Sequence, residues 1–590
     1  MSTHRINFKV FIALLLCCFC FSISAYAVSE VNYTVDMTDP GNHFFKVEIK
    51  IDSPEGDFTD LVMPRIIPGI YHYRDYAKNV QEFSAFDGSG APLKWEKIDL
   101  HTWRVYSENA GSLTAKYKAY APEVSCVESF LNTHKALINE GTILMYIKDR
   151  TDIPCRLCLK YPKGWKTATT LKSAGENIYT APDYHFMADR PVMLGDFRET
   201  KFEYKGAEYV IVLDGSLKFD LDTFKADVEK IVKNEVDMMG GVPFKKYIFF
   251  YLHSYASQEG FGGLEHFDNA VMVVEPAFGI DGILGLTAHE FFHLWNDKNI
   301  HADVIYPFNY NKADFTRLYW FFEGFTSYYD TMVMARIKKT EPEEFFKDIA
   351  GAIKATEEIA ANKHITLEDA SFGGFFLWPQ NFDEKFLNFY QKGKLAGLLM
   401  DLKIRHCTRN KRSIDDVMRY LYKNYGMKNI GVPEGKMGEI IVKATGVNID
   451  DIINDYVKGT KIPNYNKYLN YAGLELKIEE KWPGPYMGIG AEEYGCGIII
   501  TKITRDSPAE KAGLSIDDVI VAVNGVKADK GGFLVNSKPY EIVKVTLFRN
   551  NVLMTKQVYL GKKGFEKYEI VELKNPDKLQ REILKNWLGE

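Results

Sequence analysis

Cysteine is scarce: the 590-residue chain holds 8 of them, and Cys17, Cys18 and Cys20 crowd into its first 27 residues. The rest are Cys126, Cys155, Cys158, Cys407 and Cys496. An odd number spread over so long a chain excludes a disulfide framework. Cys155 and Cys158 have the spacing of a redox pair or a zinc knuckle, but no second pair completes a four-cysteine site. Buried thiols or one bridge are expected. An excess of one charge is also lacking, since Lys+Arg 73 against Asp+Glu 79 leaves −6. Such a surface offers no footprint for a phosphate backbone, so nucleic acid is not an expected partner. Long repeats and low-complexity tracts are absent. The one marked apolar run, from Val10 to about Ile23, is shorter than the ~20 residues that span a bilayer.

That run follows His4, Arg5 and Lys9 and precedes Ala25-Tyr26-Ala27, the order of a cleaved secretory signal over residues 1–27. The expectation is an exported protein with no membrane anchor after cleavage. Hydrophobic residues at 46% and charged residues at 26% describe a folded, soluble chain, long enough for about four structural units at roughly 150 residues each.

From 28 to 202 the pattern is β-rich: Phe45, Val47, Ile49 and Ile51 alternate with Phe44, Lys46, Glu48 and Lys50. Over 203–465 the period changes, and helices are expected near 221–239, 282–296, 316–338, 342–362 and 386–405. A second β-rich unit spans 472–562. The tail, 563–590, holds an amphipathic helix with Leu579, Ile583, Trp587 and Leu588. The fold class read from this order is multidomain α+β.

The chemistry concentrates in Thr287–Asn296, where His289-Glu290-Phe-Phe-His293 falls within a helical stretch. At 100° per residue the two imidazoles lie about 40° apart, one turn along the same face. Both can reach one metal ion, with Glu290 beside them. A catalytic zinc takes three protein ligands and keeps one position for water. Glu323 is the candidate third ligand, thirty positions beyond His293 amid Trp320, Phe321, Phe322, Phe325 and Tyr329, where an unpaired carboxylate would be costly to bury. Upstream, Gly262-Gly263-Leu264-Glu265-His266 precedes the apolar run Val271–Val274 and suits a strand whose glycines allow close backbone approach. An extended peptide can pair with such an edge. Glu265 can there receive a peptide's α-ammonium; the alternative is an ordinary exposed carboxylate. Tyr390 opens another helix and can donate a hydrogen bond to an oxyanion, although spacing alone does not single it out among 35 tyrosines.

Together these stretches resemble the glycyl aminopeptidase family of gluzincin metallopeptidases. They are Pro68-Gly69-Ile70-Tyr71 with Arg74-Asp75-Tyr76, then GGLEH at 262–266, HEFFHLWN at 289–296, FFEGFTSYYD at 321–330, and YQKG at 390–393 with Asp401-Leu-Lys-Ile-Arg405. The resemblance implies a β-rich amino-terminal domain, a thermolysin-like, mostly helical catalytic domain and a carboxy-terminal PDZ domain. It implies one zinc ion per chain on His289, His293 and Glu323, Glu290 as general base, Tyr390 as oxyanion donor and Glu265 as the amine anchor. Peptide substrates with small amino-terminal residues, Gly or Ala, and a periplasmic location follow from it as well. Two departures from the broader aminopeptidase superfamily are the longer gap before the third ligand and His266 in place of Asn.

The stretch Tyr486-Met487-Gly488-Ile489-Gly490 resembles a PDZ carboxylate-binding loop, and Asp506–Gly513 with Asp517–Gly525 resembles the turn-strand signature of bacterial PDZ domains. Such a module either captures peptide C-termini or braces its neighbour. The alternatives to an aminopeptidase are a PDZ-bearing adaptor with a vestigial peptidase site and a zinc endopeptidase.

Overall fold

The alternation read at Phe44–Asp52 becomes a strand that buries Phe45, Val47, Ile49 and Ile51 and turns the intervening side chains outward. It is one of seven strands in the first sheet of a computed structural model, which describes residues 30–218, 220–254, 262–313, 315–377 and 387–590. The expected signal at 1–27 and the start of the expected 386–405 helix lie outside the described residues. No helix among the described residues is long and apolar enough to cross a membrane. The chain divides into two units, one of residues up to Phe315 with Tyr425–Gly431, the other of Thr316–Asn424 with Val432–Glu590.

In the first unit, Val31–Asp36 pairs in parallel with Cys155–Lys160 and antiparallel with Phe44–Asp52. Two four-stranded sheets complete the β-rich part. Cys155 and Cys158 share one strand at odd spacing and therefore point to opposite faces. Both are free, which disposes of the bridge and of the zinc knuckle. A five-stranded sheet follows in the order Phe197–Tyr204, Ala207–Asp214, Lys246–His253, Asn269–Val274, Gly262–Glu265. Its three middle strands run parallel and are apolar almost throughout, as a sheet covered on both faces requires. The helix Leu221–Met239 makes the crossover. Asp220 caps it by accepting the Thr223 N–H at 2.8 Å, and Gly240, at φ 88°, closes it. The strand Gly262–Glu265 pairs antiparallel at the edge, and the helix Gly279–Phe292 follows its neighbour Asn269–Val274 after one short turn.

The second unit is helical around two helices, Tyr319–Arg336 and Phe389–Cys407, which cross at glycines. A β-carbon on Gly393 would lie 2.8 Å from Gly324 Cα and closer still to the Trp320 carbonyl. Only glycine at both positions lets the backbones approach this far. The Asp401 carboxylate, fully buried on the second helix, accepts from Tyr328 Oη at 2.7 Å, Arg405 Nε at 3.1 Å and the Ile414 N–H at 2.9 Å. Asp401 and Arg405, singled out in the sequence, are thus a brace for the helix that carries Glu323. The last helix, Lys578–Trp587, returns to the same place: the Trp587 indole donates to Tyr328 Oη at 2.7 Å. A two-stranded ribbon, Leu474–Tyr486 with Gly561–Glu572, flanks the carboxy-terminal β unit, whose strands run from Ile489 to Tyr559 around a core of Ile498, Ile500, Ile520, Val545 and Leu547.

Candidate active site

The His289 helix buries Ile283, Leu284, Ala288 and Phe291, and Thr287 is fixed by donating to the Ile283 carbonyl while accepting from Tyr251 Oη, both at 2.8 Å. The helix ends at Phe292, earlier than the expected 296, and His293 is its cap. That early end has a use. Released from the helix, the Asn296 carbonyl lies 2.8 Å from His293 Nδ1. A carbonyl only accepts, so the proton resides on Nδ1 and the Nε2 lone pair is left for a ligand. Nε2 of His289 and Nε2 of His293 are 3.1 Å apart, close to the ~3.3 Å that two nitrogens span on a tetrahedral zinc at 2.0–2.1 Å.

A group of ligating side chains meets here: the ligand atoms of Glu265, Glu290 and His293 lie within 4.8 Å of one another. Glu323 is 4% exposed among aromatic residues more deeply buried than itself, which excludes a solvent-facing carboxylate.

Glu290 is seated by the edge strand. A β-carbon at Gly263 would fall within the Glu290 carboxylate, whereas one at Gly262 would meet nothing within 4 Å. Of the two expected glycines, only Gly263 is demanded by contact. Gly263→Ala is therefore expected to displace Glu290 and lower kcat by about 10²-fold, with bound zinc and circular dichroism unchanged; activity within threefold of wild type would contradict this seat.

Glu265 is 6% exposed, so it is not an ordinary surface carboxylate. Its neighbours carry the largest surprise. Lys298, buried five positions beyond His293, directs Nζ to Asp189 Oδ1 at 3.4 Å and to Glu265 Oε1 at 3.8 Å. Asp189 also accepts from His266 Nδ1 at 3.0 Å and from the Phe267 N–H at 2.8 Å. Burial alone would raise the Asp189 carboxyl, but Lys298 and His266 outweigh it and hold it below the usual carboxylate range. Burial would likewise lower the Lys298 ammonium, and Asp189 with Glu265 reverse that and push it up. Nothing in the sequence marks Lys298 among 73 basic residues, because a Lys after Asp297 reads as a solvated turn.

Tyr390 is half-buried at the second position of its helix, which Asn388 caps by accepting the Tyr390 and Gln391 N–H groups at 2.9 and 3.2 Å. Its ring stacks on Phe389. In the carboxy-terminal unit, Met487 is buried, its carbonyl accepts the Ala509 N–H at 2.9 Å, and Gly488 adopts φ 85° against Ser507. Ile489 and Gly490 pair with Ile503 and Lys502. Residues 528–541 form turns rather than a helix.

Residues 32–196 match the Peptidase M61 N-terminal domain, and residues 282–396 match M61 glycyl aminopeptidase. The chain belongs to the M61 glycyl aminopeptidase family. In this M61 protein residues 485–560 also match a PDZ domain. A solved aminopeptidase N family protein from Idiomarina loihiensis is 24% identical with a TM-score of 0.85, covering 95% of this chain and all of that one, and so shares its fold. An M1 zinc metallopeptidase from Deinococcus radiodurans is 12% identical, with a TM-score of 0.48 over 74% of this chain and 95% of that one. Among curated proteins, the serine protease Do-like HtrA of Bacillus subtilis is 32% identical over 102 residues, 16% of this chain and 23% of that protein. A probable CtpA-like serine protease of Staphylococcus haemolyticus is 27% identical over 189 residues, 30% of this chain. The M61 chain spans only 23% and 34% of the length of these two curated relatives. Its family is one of metallopeptidases of the aminopeptidase kind.

Proposed function

We propose that the protein is an exported, zinc-dependent aminopeptidase that removes small amino-terminal residues, Gly or Ala, from peptides. The observation that carries this reading is a buried carboxylate, Glu265, on the same strand that seats Glu290. His289, His293 and Glu323 would hold one zinc ion, and when bound it supplies Lewis acidity that activates water and polarises a peptide carbonyl. Glu290 takes the proton from the attacking water and returns it to the leaving amine. Tyr390 donates a hydrogen bond to the oxygen on which charge develops. Glu265 holds the substrate's α-ammonium and so fixes the cut at the first peptide bond. The backbone of Gly262–Glu265 lies at the sheet edge, where an extended substrate can add as a strand. The Met487–Gly490 loop is assigned to peptide C-termini, which would tether substrates to the same chain.

The test is release of free amino acid from Ala-Ala-Ala, with and without a chelator, beside its N-acetylated copy. Acetylation removes the ammonium that Glu265 would receive and puts a neutral group against its buried carboxylate, so kcat/KM is expected to fall by about 10²-fold or more, and chelation to abolish cleavage. Equal cleavage of the acetylated copy would instead make the protein an endopeptidase. Zinc binding without any cleavage would favour the adaptor.

A further inference from the structure

Glu265 is an unusual anchor because a resident cation already stands beside it. The Lys298 side chain is 1% exposed, and its ammonium has two carboxylates in reach, Asp189 and Glu265. The two contacts are unequal in kind. At 3.4 Å Lys298 Nζ is within hydrogen-bond reach of Asp189, whereas 3.8 Å to Glu265 is too long for a hydrogen bond and still short enough for a strong charge interaction in a buried site. Asp189 holds the ammonium back, being itself fixed by His266 and the Phe267 N–H. The other side of Glu265 is closed by the Pro68–Tyr71 turn: a β-carbon on Gly69, which has φ 88°, would lie 2.9 and 3.0 Å from the two Glu265 oxygens and 2.6 Å from Leu264 Cδ1. Among the described residues no hydrogen bond within the protein occupies either oxygen.

We propose that Lys298 is the positioning residue of the amine subsite: shared with Asp189, its buried ammonium fixes the Glu265 carboxylate against the Gly69 turn while leaving both oxygens open to the α-ammonium of a substrate. This rests on the aminopeptidase reading above. A hydrogen-bonded lysine would compete with the substrate for the same lone pairs. A lysine held at longer range offsets part of the charge of the two buried carboxylates and takes none of the Glu265 lone pairs. Two carboxylates facing each other with no cation would repel, and Glu265 would leave its place.

The test uses the full-length zinc protein, with Ala-Ala-Ala and its N-acetylated copy as substrates. Lys298→Met is expected to raise KM for the free peptide by about tenfold with kcat within about threefold, a split that marks lost ground-state binding. Zinc content should be unchanged, and Lys298→Arg should restore most of the affinity. Glu265→Gln should raise KM similarly, and the double variant should be no worse than Glu265→Gln alone, because the lysine acts through Glu265. Should Lys298→Met not fold, Asp189→Asn replaces it: freed from Asp189, the ammonium closes on the Glu265 oxygens, and KM rises by about tenfold. Wild-type KM in Lys298→Met or in Asp189→Asn overturns the inference, as does a double variant in which the two effects multiply. Loss of zinc and kcat together in Lys298→Met assigns the lysine a purely structural role and overturns it too. If the wild type cuts the acetylated copy equally well, the aminopeptidase reading itself falls, a result distinct from all of these.

Discussion

Glu290→Gln is expected to lower kcat by about 10²- to 10⁴-fold, the usual worth of a positioned general base, while zinc stays bound and the fold is intact. The substitution is nearly isosteric, so the amide occupies the space that the Gly263 backbone leaves for the carboxylate. An amide has no basic oxygen to take the proton from water. The proposed metal ligands are untouched: His293 keeps its Nδ1 bond to the Asn296 carbonyl, and its Nε2 still faces His289 at 3.1 Å. The measurement is kcat on Ala-Ala-Ala beside zinc per chain by atomic absorption. Retention of more than a tenth of wild-type kcat with full zinc would remove Glu290 from the proton-transfer step. Loss of zinc would place it among the ligands instead.

The second large effect is on stability and arises away from the chemistry. Gly393→Ala is expected to cost about 3 kcal/mol or more, the upper end of overpacking, which for a unit of this size lowers Tm by roughly 10 °C. The added methyl would meet the Trp320 carbonyl and Gly324 Cα, and both are backbone atoms that cannot turn aside as a side chain would. The only relief is to separate the Glu323 helix from the Tyr390 helix, so zinc affinity should fall along with Tm. Gly351→Ala is the control. Gly351 lies in the helix Pro342–Glu358, and a β-carbon there meets nothing within 4 Å. That change should raise stability by about 0.5–1 kcal/mol, since alanine restricts the unfolded chain and favours helix. A calorimetric scan of the two variants separates a steric cost from a propensity gain. Equal Tm in both would show that the helices do not need the glycine contact.

Much of this was legible in the chain. The residues at 289 and 293 must share a helix face because a helix repeats every 3.6 residues, and Phe45 through Ile51 must share a strand face because a strand repeats every two. The crossover helix from Leu221 to Met239 announces both its ends, with Asp220 before it and Gly240 after it. These are local properties, set by covalent geometry and capping within a few residues. Glycine also left a trace, in GGLEH, FFEGF and YQKG, but the sequence does not say which glycine is pressed and by what. Gly263 is held by Glu290, Gly393 by Gly324 and the Trp320 carbonyl, and Gly262 by nothing.

What only the tertiary structure decided are the meetings of residues far apart in sequence. Lys298 and Asp189 are 109 positions apart, and no periodicity connects them. Cys155 and Cys158 have a suggestive spacing, yet a strand places them on opposite faces and leaves both thiols free. The helix ends at Phe292 rather than at Asn296, and that release points the Asn296 carbonyl at His293. The sequence thus determined which groups are present and which neighbouring ones share a face, because backbone geometry acts over one or two turns. Charge, burial and close backbone approach act through space, and they chose the partners.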